Sequence, residues 1–132
     1  MSRSRFPRVI SIAVAGAVLA IVPGAALGDT FTIKAIKCDK TATNEWGRCW
    51  KPSFRHIIKG NTIKWANPAG NDVSHSVTAY KGFKKNVTIA PGESTSKKFR
   101  RAGEFSFRCR FHSRLADGTC RGMCGEIHVT KT

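Results

Sequence analysis

From Phe31 onward, apolar and polar residues alternate in short runs broken by turn residues, and no stretch keeps a helical period. Alternation sends successive side chains to opposite faces of a strand, so each run reads as a strand with one buried face. FTIKAIKC (31–38) is the first such run, and DKTATNEWGRCWKPSF (39–54) follows it as a loop. HIIKGNTIKWAN (56–67) holds two strand-like pieces around a turn at Gly60 and Asn61. After a second turn, NPAGND, the run VSHSVTAY places Val73, His75, Val77 and Ala79 on one face and Ser74, Ser76 and Thr78 on the other. His75 therefore points where the apolar residues point. APGES (90–94) is a Pro-Gly turn, STSKKF leads to another turn at 101–103, and EFSFRCRFH puts Phe105, Phe107 and Cys109 opposite Glu104, Ser106 and Arg108. EIHVT ends the pattern, with Ile127 and Val129 opposite His128. Many short strands at this spacing predict an all-β sandwich or barrel. No repeat, heptad or low-complexity segment is visible, which excludes solenoids and coiled coils.

The segment before Phe31 is of another kind. Residues 1–28 carry three arginines, an apolar run from Val9 to Val22 and small residues around Ala26 and Gly28, the layout of a secretory signal peptide. The run is shorter than the roughly 20 residues a spanning helix needs. Nothing later is apolar for long enough to span, so no transmembrane segment is expected after cleavage before Asp29. The protein is thus expected to be exported, to a periplasmic, cell-envelope or extracellular place, as one domain over residues 29–132.

Charge changes the picture of partners. The chain holds 23 Lys and Arg against 8 Asp and Glu; without the three leader arginines, 20 basic and 8 acidic residues leave a net +12. Such a field favours an acidic protein partner or an anionic envelope surface. Export, dispersal of the lysines through strand-like runs and the lack of a recognisable motif argue against nucleic acid. The expected form is a monomer.

Five cysteines, Cys38, Cys49, Cys109, Cys120 and Cys124, lie beyond the leader. Thiols pair in an oxidising compartment, and an odd count leaves one sulfur for another task. Nearest-neighbour pairing joins Cys38 to Cys49 and Cys120 to Cys124, although four cysteines permit three connectivities. Cys109 and His112 stand three residues apart at the end of a strand, where the chain turns and both can face one point. A thiolate, two imidazoles and a weak thioether suit copper in electron-transfer sites. His75 is the second imidazole in this reading, and Met123, the single methionine after the leader, is the thioether.

The framing of these residues resembles the cupredoxin family of plastocyanin-like and amicyanin-like blue copper proteins. From about Ile57 to Val129 the chain shows that family's series in order: GNTIKWAN, the His75 strand, APGES, GEFSFRCRFH and GMCGEIHV. The resemblance implies a Greek-key β-sandwich in which His75, Cys109, His112 and Met123 bind one copper ion cycling between Cu(I) and Cu(II). It implies that Asn67 ties the ligand loops together. It also implies that His112 is the exit route for the electron, with Phe111, Arg110 and Arg114 shaping the docking face for an acidic redox protein. Trp65 reads as core, while Trp46 and Trp50 cover one end of the barrel; His56 is a surface residue, and the Asn86-Val-Thr88 glycosylation pattern receives no role. One departure stands out: SRLADGTCRG makes the loop between His112 and Met123 longer than in familiar members, and a disulfide there would clamp it.

Competing readings use the same residues. Cys120, Cys124 and His128 form C-x3-C-G-x-x-H, similar to a dinuclear purple copper signature, but Lys131 stands where that site wants a methionine, and Cys109 and His112 would be left unexplained. Copper storage or delivery calls for clusters of Met or His, and one Met remains after the leader. A metal-free sandwich that binds an anionic polymer is a third possibility. Catalysis is not expected: no acid/base pair or nucleophile constellation appears, and four protein ligands leave a metal no open position.

Overall fold

The computed structural model describes residues 28–132, so the leader expected at 1–28 lies, except for Gly28, outside the described residues. Among the described residues there are nine strands and no helix: β1 (Thr30–Lys37), β2 (Arg48–Lys51), β3 (Phe54–Ile58), β4 (Thr62–Ala66), β5 (His75–Lys81), β6 (Asn86–Ile89), β7 (Ser94–Lys98), β8 (Gly103–Ala116) and β9 (Thr119–Thr130). They form two sheets, ordered β2-β1-β4-β7 and β3-β9-β8-β5-β6. β1 lies parallel to β4, and β3 parallel to β9. Parallel neighbours cannot be joined by a tight hairpin. The chain therefore crosses repeatedly between the sheets, giving a β-sandwich, as the alternating pattern predicts, with the Greek-key connections that the resemblance implies.

The inner faces meet in one core. Ile33, Ala35, Ile63 and Trp65 come from the first sheet, and Val77, Phe107, Ile127 and Val129 from the second. Fully burying an aliphatic or aromatic side chain of this kind contributes about 1.5–3 kcal/mol. Trp65 is completely buried, with its ring 5.3 Å from that of Phe107 in an edge-on contact. Phe107 itself lies across Gly125, its register partner on β9, where an added Cβ would come within 2.2 Å of the ring. A glycine is required there because the aromatic ring already fills the space.

The segment SRLADGTCRG differs from expectation. It is not a loop but the far part of a β-hairpin: β8 continues to Ala116, turns at Asp117-Gly118 and returns as β9, with Leu115 opposite Cys120. Both turn residues have positive φ, 50° and 73°, as a two-residue hairpin turn with right-handed twist demands. Ladder hydrogen bonds therefore order this segment.

Candidate metal centre

The β8–β9 ladder contains an irregularity that builds the site. Arg108 pairs with Cys124 and Ser113 with Gly122, so the four residues 109–112 of β8 stand opposite Met123 alone on β9. The three surplus residues must leave the ladder, and they do so as a turn. Ser113 Oγ closes it, donating to the Cys109 carbonyl at 2.5 Å and accepting from Arg108 Nη1 at 3.1 Å. The turn brings Cys109 and His112 round to one point: Sγ lies 3.4 Å from His112 Nδ1.

β5 supplies the third group. His75 is its first residue, 1% exposed on the inner face, with Nδ1 3.8 Å from Cys109 Sγ. One donor atom from each of His75, Cys109 and His112 lies within 4.8 Å of the others. Met123 is fully buried in the core cluster that also contains Cys109. Across β9 the Cα atoms of Cys120 and Cys124 are 6.2 Å apart, whereas four residues of extended strand span about 13 Å. The backbone is thus kinked at Gly122, where φ is 99°, and Met123 follows directly.

The loops are fastened from behind. Asn67 Nδ2 donates to the Val73 carbonyl at 2.9 Å and to the Ile89 carbonyl at 3.0 Å, and its Oδ1 accepts from Asn71 Nδ2 at 2.7 Å. One buried amide therefore joins the end of β4, the approach to His75 and the end of β6. Trp50 packs at 6.1 Å from the His75 ring and 5.9 Å from Phe107, which puts it in the core beside the site. Trp46 lies against Gly122.

Electrostatics favour neutral imidazoles. Burial, reinforced by His112 and Arg48, lowers the His75 pKa from 6.5 to about 4, with Asp72 acting in the opposite sense. Burial and then Arg48 also lower that of His112. A neutral ring keeps a nitrogen lone pair for ligation. The Ser76 amide donates to Cys109 Sγ at 3.3 Å, which ties the sulfur to β5. Ser76 Oγ accepts from the Arg110 amide at 2.8 Å and so pins the turn to β5. Ser76, Ser113 and Arg48 were not singled out by sequence reasoning. No signal in the sequence marked Ser76, which alternation assigns to the outer face although it is fully buried.

Cys38 is bonded to Cys49, and Cys120 to Cys124, leaving Cys109 as the free cysteine. The pairing stands against the dinuclear alternative, whose two sulfurs are here bonded to each other. His128 is also elsewhere, contacting Glu126 at 2.5 Å and Glu104 at 3.9 Å on the outer face of β9. His56 is exposed, as expected. Phe111 and Leu115 are exposed apolar residues on the hairpin beside His112.

No protein-family model matches the chain, and no curated protein matches it in sequence. Solved structures do match. A P52G mutant of amicyanin in its reduced Cu(I) form aligns with TM-score 0.57 and 18% identity over 76% of this chain and 82% of that one. Pseudoazurin from Methylobacterium extorquens AM1 gives 0.56 and 20%, over 79% and 77%. A purple cupredoxin from Nitrosopumilus maritimus gives 0.54 and 20%, over 75% and 98%. With its sheet order, its inward His75 strand and its Cys109–His112 turn, the described chain has the cupredoxin fold.

Proposed function

We propose that the protein is an exported blue copper protein that carries single electrons through one copper ion held by His75, Cys109, His112 and Met123. The observation that carries this reading is a buried, unpaired thiol with two imidazole nitrogens at 3.4 and 3.8 Å and a buried methionine opposite its turn. The donor set fits the metal: a soft thiolate with imidazoles and a thioether is a copper set. A copper ion held there supplies one-electron chemistry between its two oxidation states.

The chain's own residues do the rest. Asn67, Ser76 and Ser113 hold the donors in one arrangement, so little nuclear motion accompanies the change of charge. Burial of His75, Cys109 and Met123 keeps water away from the site. His112, partly exposed between Phe111 and the hairpin, is the contact for a redox partner, and Arg110, Arg114 and Arg121 make that end attractive to an acidic one. The same buried donor set argues against copper delivery, which needs ligands that a receiving protein can reach.

Visible absorption of the copper-loaded, oxidised protein tests the reading. An intense thiolate-to-copper band that disappears in Cys109→Ser is the expected result; a wild-type protein without such a band contradicts it.

A further inference from the structure

At the end of the sandwich away from His75, Cys109 and His112 lies an open cleft of about 680 Å³. Strand directions fix its place. β5 runs from His75 to Lys81, β7 from Ser94 to Lys98 and β8 from Gly103 toward Cys109, and the cleft is built where β5 and β7 end and β8 begins. Phe105 precedes Cys109 by four residues of strand, about 13 Å. The floor is apolar: Phe83, Phe99 and Phe105 contact one another edge-on at 5.0 to 6.0 Å.

The walls carry Lys84, Lys97, Lys98, Arg100 and Arg101, and among the described residues no carboxylate lines the cleft. Lys97 Nζ lies 5.7 Å from the centre of the Phe99 ring and Arg101 Cζ 5.6 Å from that of Phe105, so cations overhang the aromatic floor. The Arg101 guanidinium also donates to the Gly82 carbonyl, which fixes it at the rim. Next to the cleft, burial first and then the charge of Lys97 lower the Lys85 pKa, so Lys97 adds to the positive field at this end.

Five cations around one opening repel each other, and a bound polyanion would relieve that repulsion. Guanidinium forks match phosphate oxygens in pairs, while lysines act as point charges toward them. The volume falls within the range of small-molecule sites and exceeds what a single phosphate fills.

We propose that this cleft binds phosphate-bearing anions carrying more than one negative charge or presented at a surface, and that it does so independently of the metal centre. Binding there leaves the His112 end of the molecule free.

The test uses the full-length processed protein and two probes: inorganic tripolyphosphate by titration calorimetry, and co-sedimentation with vesicles of equal parts phosphatidylcholine and phosphatidylglycerol, against phosphatidylcholine alone. Lys98→Glu/Arg100→Glu is compared with Lys34→Glu/Lys51→Glu, which makes the same net charge change at exposed positions outside the cleft. Near-ultraviolet circular dichroism checks that each variant keeps its core. The first variant should lose about tenfold or more in tripolyphosphate affinity while the second stays within about threefold of wild type. A matching selective loss on the mixed vesicles identifies a lipid headgroup as the source, and a loss with tripolyphosphate only identifies a free oligophosphate. Equal weakening in both variants, or no saturable binding to either probe, overturns the proposal.

Discussion

Ser76 shows how much of the site rests on residues that are not ligands. Its hydroxyl accepts from the Arg110 amide, so Ser76→Ala strands a donor inside the turn. The expected loss is about 1–3 kcal/mol, read as a lower urea midpoint with an unchanged slope. Asn67→Ala removes three hydrogen bonds around one buried amide and should cost more than Ser76→Ala in the same assay, while broadening the visible band of the copper-loaded protein. That His75 and Cys109 face inward was legible in the sequence, because a period of two assigns faces once the apolar side is known. The task of Ser76 was not legible. It sits on the face that alternation calls outer, and what covers it is a turn 34 residues further along the chain.

The β8–β9 hairpin is where sequence and structure part at the level of elements. Asp117-Gly118 is a strong two-residue hairpin signal, yet the ten residues between two expected ligands read as a loop because the pairing of their flanks depends on the surplus at 109–112. A register shift of that kind leaves no periodic trace. The kink on β9 offers a direct check. Gly122 has φ 99°, and an added Cβ would lie 2.4 Å from the His112 carbonyl oxygen and 2.6 Å from Trp46. Gly122→Ala is thus expected to cost at least about 1–3 kcal/mol and to displace His112, seen as a lower melting temperature and an altered copper spectrum. Gly118→Ala, with open space around its Cβ, meets only the backbone penalty and should leave the spectrum unchanged. The two disulfides also separate by size: removing Cys38–Cys49, with a sequence separation of 11, should cost about 2–4 kcal/mol, and removing Cys120–Cys124, with a separation of 4, less.

For the molecule as a whole, acid acts through His75. In the metal-free protein its ring stays neutral down to about 4, whereas in the unfolded chain it takes up a proton near 6.5. Between those values the unfolded state binds more protons, so this contribution is complete above about 6.5 and is lost as pH falls through about 4. His112 and Arg48 on neighbouring elements add to the effect and Asp72 opposes it. Thermal melting of the metal-free protein across that window should show a falling midpoint; a flat profile contradicts the burial argument. The excess of basic over acidic residues was legible in the sequence, but its grouping was not: Lys84 joins Lys97, Lys98, Arg100 and Arg101 only because β5 and β7 end at the same pole. Electron exchange with an acidic redox protein should slow as salt rises, since charges farther apart than about 10 Å are screened at 0.1 M. Finally, the turn that carries Cys109 and His112 is closed by Ser113 and pinned to β5 by Ser76, so uptake of the ion asks for little loss of backbone freedom. Exchange of the Arg110 amide, held by Ser76, should be as slow before copper is added as after it; fast exchange that slows only on loading would show that the metal and not the fold sets the turn.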